Sequence, residues 1–321
     1  MPKRRPERKR ATLRELSEIT GLSTAAVSYA LRGQRVSAAT EARVRAAADR
    51  IGFRSDPIAR ALRGGRTELV GVVGGSLDDH WHQEFVAALQ RALRDHGLRM
   101  VLADAAGDAG EELKLARDLA EQRVDGLIVL PIDPLAAEWR AIARGTPTVS
   151  VNASLPSPAG AIRFDSDAGI ALALDHLRGL GHRQITVLGG GPHRIPRTPG
   201  TRRVRCGLAS DQARVAARRT LARQPATAVF ALSDSIAYGV YTACRELGLA
   251  VPDDVSIVGF DDNPISRLLD PALTAVGWDT PGAATAAAAM LSDAIEGRPP
   301  RPQVVIEPRL EVRASTAPAV A

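Results

Sequence analysis

Apolar residues recur along this 321-residue chain with two different textures, helical near the start and strand-like from residue 68 onward. In the first stretch Leu13, Leu16 and Ile19 share one helical face. Thr12 and Glu15 form a capping box before them and Gly21 follows as a stop. Ser23 is the next N-cap, and Ala25, Ala26, Val27, Ala30 and Leu31 carry a second short helix to Gly33. Ser37 opens a third, which runs to Ile51 and Gly52. Two short helices joined tightly through Thr20-Gly21-Leu22 read as a helix-turn-helix, with Leu16, Val27, Leu31, Val44 and Ile51 as its small core. The alternative is three helices that pack for their own sake.

From Glu68 the apolar positions gather into β-branched runs. "LVGVVGG" (69–75), "RMVLADA" (99–105), "GLIVLP" (126–131) and "PTVSVNA" (147–153) alternate with helical stretches such as 84–95 and 110–123. The pattern restarts after Pro158 with "ITVLGGG" (185–191), "TAVFALSD" (227–234) and "VSIVGFDD" (255–262). Near-continuous apolar strands separated by helices predict parallel sheets covered on both faces. The repetition predicts two α/β lobes with a ligand cleft between them.

Charge divides the chain at the same place. Residues 1–66 carry 16 Lys or Arg against 6 Asp or Glu, a balance of +10. The remaining 26 against 30 give −4, and the two sum to the overall +6. A basic module fused to a mildly acidic one is the electrostatic footprint of a nucleic-acid-binding head. The leading "PKRRPERKR" is either a solvated terminus or a phosphate-contacting arm. No apolar h-region follows it, so it does not read as a signal peptide, and no apolar run reaches the ~20 residues of a membrane span. Cys206 and Cys244 lack metal-ligand spacing and read as thiols of a reducing cytoplasm. There is no Gly-x-Ser-x-Gly elbow, P-loop or metal-spaced His pair, and the six histidines are scattered. The chain therefore reads as a binding protein with no catalytic residues, metal or cofactor.

The order of parts resembles the LacI/GalR family of bacterial transcription regulators over residues 11 to about 316. The carriers are the head "TLRELSEITGLSTAAVSYALRGQRVSAATEARVRAAADRIGFRSDPIARALRGGRT", then "VDGLIVLP", "HLRGLGHRQITVLGG", "VPDDVSIVGFDD" and "RLEVRAST". The resemblance implies an all-α helix-turn-helix DNA-binding head on a two-lobed, periplasmic-binding-protein-like α/β domain. It divides the chain into a basic arm (1–10), the head (11–55), a hinge (56–66) and the lobes (67–321). It also implies a repressor that binds a pseudo-palindromic duplex operator as a homodimer or higher assembly and takes a small-molecule effector, a sugar, between its lobes. The competing class is a two-lobed sugar-binding protein of the solute-receptor type, which would carry a signal peptide and lack the basic head.

Carried residue by residue, the resemblance puts Thr24, Ala25 and Tyr29 at base-reading positions. It puts Ser23, Ala26 and Ser28 nearer phosphates, with Thr12 and Arg35 also on the DNA. The bareness of "LSTAAVS" then has a cause. A helix entering a groove about 12 Å wide must present short side chains where its backbone nears the bases. Tyr29 stands where several family members carry Arg, which implies a different half-site. "DPIARALR" (56–63) takes the place of the family's hinge helix, with Leu62 as minor-groove wedge, Ala59 beside it, and Arg60 and Arg63 on the backbone. Fewer than two turns do not sustain a helix in isolation, so the segment is expected to fold only when paired on DNA; otherwise it is an ordinary linker.

In the cleft the resemblance matches Asp261 to an acidic ligand residue able to accept two hydroxyls, Asp234 to a neighbouring one, and Asn152, Asp165 and Trp278 to further positions. A strand-end carboxylate can equally be a cap. Trp81, in "SLDDHWHQEF", is either a stacking platform for a sugar or a core residue. Arg203 matches a ligand arginine at the start of a helix. The second lobe, however, is shortened near 191–225, with room for about one helix fewer, and that helix stops almost at once.

Overall fold

A computed structural model describes residues 11–31, 33, 35–53, 65–156, 158–190, 198–224 and 226–319. The chain falls into two compact units, Met1–Thr67 and Glu68–Ala321. The hinge expectations for Ala59, Arg60, Leu62 and Arg63 fall outside the described residues, as does the basic arm.

The first unit contains α1 (Leu13–Thr20), α2 (Thr24–Leu31) and α3 (Ala38–Ile51). Its helix ends follow from local chemistry. Thr12 Oγ1 accepts from the Glu15 amide at 3.2 Å while Glu15 accepts from the Thr12 amide at 2.8 Å. Gly21 closes α1 at φ 65°, in the left-handed region where a Cβ is strained. Ser37 caps α3 through the Thr40 amide, and Gly52 ends it at φ 64°. Leu16, Val27, Ala30, Val44, Ala47 and Ala48 form the buried core, with Leu31 and Ile51 half-buried at its margin.

The second unit holds two sheets. The first runs β11–β5–β4–β3–β1–β2, all parallel, from β1 (Leu69–Gly74), β2 (Arg99–Asp104), β3 (Gly126–Val129), β4 (Thr148–Val151), β5 (Gly160–Phe164) and β11 (Val304–Ile306). The second runs β12–β10–β9–β8–β6–β7, from β6 (Ile185–Gly189), β7 (Thr201–Arg205), β8 (Ala228–Ala231), β9 (Ser256–Asp261), β10 (Thr274–Gly277) and β12 (Arg309–Glu311). Only β12 is antiparallel to its neighbour. The two orders correspond strand for strand, as the repeated pattern predicts.

Helices α4 (His80–Asp95), α5 (Ala109–Glu121) and α6 (Glu138–Gly145) belong to the first lobe, and α8 (Ser210–Arg223) and α9 (Asp234–Leu247) to the second. The chain crosses between lobes after β5 through α7 (Ser166–Gly179), returns after β10 through α10 (Thr280–Ile295), and crosses again between β11 and β12. α10 lies close on the first sheet: a Cβ on Gly160 would meet Met290 Sδ at 2.7 Å, so a larger residue there would require the Met290 side chain to shift. The lobes share a core in which Trp81, Phe85 and Phe164 of the first join Phe230, Phe260 and Trp278 of the second.

Five strands, β5, β7, β10, β11 and β12, lie outside the apolar runs that the sequence pattern marks. β5 follows a proline-rich loop, and β7, "TRRVR", carries three arginines in five residues because an edge strand needs only one apolar side. β7 also corrects the expectation for Arg203: residues 201–205 are a strand, so Arg203 starts no helix. Between β6 and β7 the described residues 190 and 198–200 form no helix either.

Candidate functional site: a helix-turn-helix surface and an interlobe cleft

In the head, α2 presents its N-terminal end outward. Ser23, Thr24 and Ala25 are exposed, Ala26, Ser28 and Tyr29 are half-buried, and Val27 and Ala30 face the core. Ser23 Oγ accepts from the Ala26 amide at 3.2 Å, so it caps α2 while standing at the surface. The connection is locked from beneath: Ser17 Oγ donates to the Leu22 carbonyl at 2.5 Å, and Thr20 Oγ1 to the Leu16 carbonyl at 2.7 Å. Thr12 is exposed and its hydroxyl is engaged in the α1 cap. The structure adds a contact that spacing does not reveal. Arg35, held at φ 56°, places its guanidinium 5.4 Å from the Tyr29 ring centroid. The base-reading and phosphate-contacting candidates therefore touch.

The cleft of the second unit is built at the carboxyl ends of the strands, where the strand order reverses in each sheet. Asp79 caps α4 by accepting from the Trp81 amide at 3.1 Å. This aims His80 across the cleft, where its Nδ1 lies 2.7 Å from Ser235 Oγ and its ring meets Tyr238 edge-on at 5.6 Å. Sequence reasoning missed this closure; the local signal is that each residue lies in the first turn of a helix, His80 just after its Asp79 cap and Ser235 two residues after its Ser233 cap.

Trp81 lies within the aromatic core. It is 6% exposed, stacked on Phe85 at 5.4 Å and edge-on to Phe164 at 5.1 Å, which in turn meets Trp278 at 5.3 Å. Trp81 Nε1 is buried without a hydrogen-bond partner. Trp278 donates from Nε1 to Asp261 Oδ1 at 3.3 Å, so two of the expected ligand residues do meet. Asp261, at φ 112°, is half-buried. Burial and the nearby Asp79, Asp234 and Glu84 carboxylates raise its pKa well above the usual range.

The other expected ligand residues lie differently. Asp234 is 1% exposed and is used as a brace: its Oδ2 accepts from the Asn263 amide at 2.7 Å and from Ser266 Oγ at 2.5 Å. Asp165 caps α7 through the Ala168 amide at 3.1 Å. Asn152 is exposed at the end of β4 in the left-handed region, at φ 68°. Arg203 sits on the outer strand β7 beside residues of α8.

The buried carboxyls make this unit sensitive to pH. Burial pushes Asp234 up to about 7, helped by the Asp262 charge, and burial, with a smaller push from the Asp133 charge, raises Glu112 to about 7 against the Ile132 amide that donates to its oxygens. A carboxyl whose pKa is higher folded than unfolded binds protons that the unfolded chain has released, so stability falls as pH rises through about 7. Burial lowers His176 and His182, which oppose this only below their ordinary 6.5. The melting temperature is therefore expected to rise as pH is lowered from about 8 to about 6.5, and Asp234→Asn to flatten that slope. Over that window the contribution of Asp234 is on the order of 1 kcal/mol, because most of the effect of its raised pKa falls between about pH 4 and 7. Calorimetric melts of both proteins across that window measure it.

Among the described residues no group of His, Cys, Asp or Glu is placed to hold a metal ion, and no helix is long and apolar enough to cross a membrane. Cys206 and Cys244 are both free, their thiols pushed up to about 11 by burial. His182 is structural, joining Thr227 at 2.9 Å and the Ala317 carbonyl at 3.1 Å.

Comparison with known proteins agrees with this architecture. The family described as periplasmic binding proteins and sugar binding domain of the LacI family matches residues 67–207, and the periplasmic binding protein-like domain matches 174–316. The HTH-type transcriptional regulator reg1 of Streptomyces lividans is 34% identical over 96% of this chain and 97% of its own. The regulator MalR of Streptomyces coelicolor is 33% identical over the same shares. The crystal structure of the Lac repressor dimer bound to operator and the anti-inducer ONPF superposes with a TM-score of 0.82 at 26% identity, covering 96% of this chain and all of that one. With the basic head, its exposed recognition helix and the paired lobes, these relationships make the chain a member of the LacI family of helix-turn-helix transcriptional regulators.

Proposed function

We propose that the chain is a repressor that binds a pseudo-palindromic duplex operator as a homodimer and is controlled by a sugar held between its lobes. The basic arm (1–10), head (11–55), hinge (56–66) and lobes (67–321) divide the work, and the role is binding rather than catalysis. The observation that carries the reading is the outward end of α2, where Ser23, Thr24 and Ala25 offer only hydroxyls and a methyl on a module of charge +10. Short side chains let the helix backbone approach base edges, and Ala25 suits a thymine methyl.

A two-fold dimer places two such helices on successive half-sites. In the cleft, Asp261 offers a carboxyl suited to polyol hydroxyls, held in place by the buried Trp278 through its indole N–H. The Lac repressor structures carry operator with ONPF or carry ONPG, and a CelR regulator of similar fold carries cellobiose, which supports a sugar-class effector here.

The test is a binding screen over half-site variants, repeated with a panel of mono- and disaccharides. Arg35→Ala is expected to weaken all sequences alike. Tyr29→Ala is expected to change the preferred bases and also to lower affinity overall, because it releases Arg35 from its ring. Equal losses on every variant for Tyr29→Ala overturn the base-reading role, and a sugar panel without effect on the wild type overturns the effector class.

A further inference from the structure

The second lobe ends in a concentration of positive charge that neither the operator-binding nor the cleft-binding role uses. Residues 201–223 contain seven arginines, 202, 203, 205, 214, 218, 219 and 223, against Asp211 as the sole acidic residue, within a unit whose balance is −4. β7 supplies three of them and α8 four. Arg214 and Arg218 are neutralised by Glu246, at 2.9 and 3.6 Å. Arg202 is spent on the fold, reaching Thr186 Oγ1 at 2.9 Å and the Gln224 carbonyl at 3.2 Å. Arg203, Arg205, Arg219 and Arg223 form no hydrogen bond or ion pair with any described residue, and all four are exposed.

These four guanidinium groups do not scatter. Together with Arg202 and Gln224 they line one concavity of about 500 Å³ between the outer strand and the last turns of α8. Arg219 and Arg223 are one helical turn apart on the same face, where like charges repel each other. Elsewhere in the unit clustered arginines are compensated: Arg267 and Arg313 share Asp262, and Arg298 and Arg301 share Asp293. An uncompensated cluster that converges on a hollow is arranged for an anion that arrives from solution.

We propose that this concavity is a second ligand site, separate from the interlobe cleft, and that it takes a small molecule bearing two or more phosphoryl groups. Guanidinium forks match phosphoryl oxygens two at a time, and four free forks exceed what one monoanion can engage. The volume falls in the range of small-molecule sites. Among the described residues the lining has no aromatic ring to stack a sugar or a base and no carboxylate to accept sugar hydroxyls, so recognition here rests on charge. A duplex backbone presents its phosphates in an extended row, whereas these groups converge on one hollow from a strand and a helix.

The test uses the full chain with inorganic tripolyphosphate as probe, read by amide exchange in peptides spanning 201–224, so that anion binding by the basic head is scored separately. Protection of that segment by tripolyphosphate, absent in sodium chloride of equal ionic strength, is the expected result. The double variant Arg219→Gln/Arg223→Gln is expected to melt as the wild type does, to keep its operator affinity, and to require at least roughly tenfold more tripolyphosphate for the same protection. No protection, protection reproduced by salt alone, or protection unchanged in the variant overturns the proposal. Protection by a short DNA duplex but not by tripolyphosphate assigns the surface to nucleic acid and overturns it equally.

Discussion

Operator affinity of the full chain is expected to fall by about 10³ to 10⁵ between 50 and 200 mM salt, the range for a protein that contacts six to ten phosphates. The head carries the charge for this: +10 over residues 1–66, doubled in a homodimer. Each phosphate neutralised adds roughly −0.9 to the slope of log affinity against log salt, because condensed counterions are released. Residues 68–321, with a balance of −4, are expected to show no such slope. A titration of both proteins on one duplex measures it. A flat response of the full chain would remove the head from the interface; a steep response of the second unit alone would move the interface there.

Leu16→Ala is expected to abolish operator binding while leaving the second unit intact. Leu16 is fully buried among the described residues in a core of six, three of them alanines, with larger side chains such as Leu31 and Phe53 only at its half-buried margin. A buried Leu→Ala change costs about 2–5 kcal/mol, and a domain of this size has little more than that in total. The head therefore unfolds, and α2 loses the orientation that any base contact requires. Paired measurements of operator binding and thermal unfolding decide it: binding lost, with the melt of the larger unit unmoved. Retained binding would mean that the three helices are braced by more than this core.

The site was legible in the sequence where one residue's chemistry acts on its own neighbours. The Thr12–Glu15 box, the Ser23 and Ser37 caps and the glycine stops at 21 and 52 are contacts within four residues, so spacing alone places them. The doubled α/β pattern gave the two lobes because parallel strands buried on both faces must be apolar throughout. Effector residues were less legible, because a strand-end aspartate has the same sequence signature whether it meets solvent, an amide or a ligand. Only packing sends Asp234 to Asn263 and Ser266, Asp165 to its own helix and Asp261 to Trp278.

Local pattern therefore determined the three-helix head, the short-side-chain N-terminal end of α2 and the pair of parallel lobes, since these depend on periodicities and caps within a few residues. Tertiary structure alone decided three things: that Trp81 lies in a shared aromatic core, that His80 closes the cleft on Ser235, and that Arg202, Arg203, Arg205, Arg219 and Arg223 meet in one hollow. Each joins residues from different elements, and Trp81 and Phe164, or His80 and Ser235, are distant in sequence, so no local periodicity encodes the meeting. The edge strand β7 belongs with them. Its arginines disguise it as a loop, and only pairing with β6, from Ile185 opposite Thr201 to Gly189 opposite Arg205, makes it a strand, with Arg203 and Arg205 facing water.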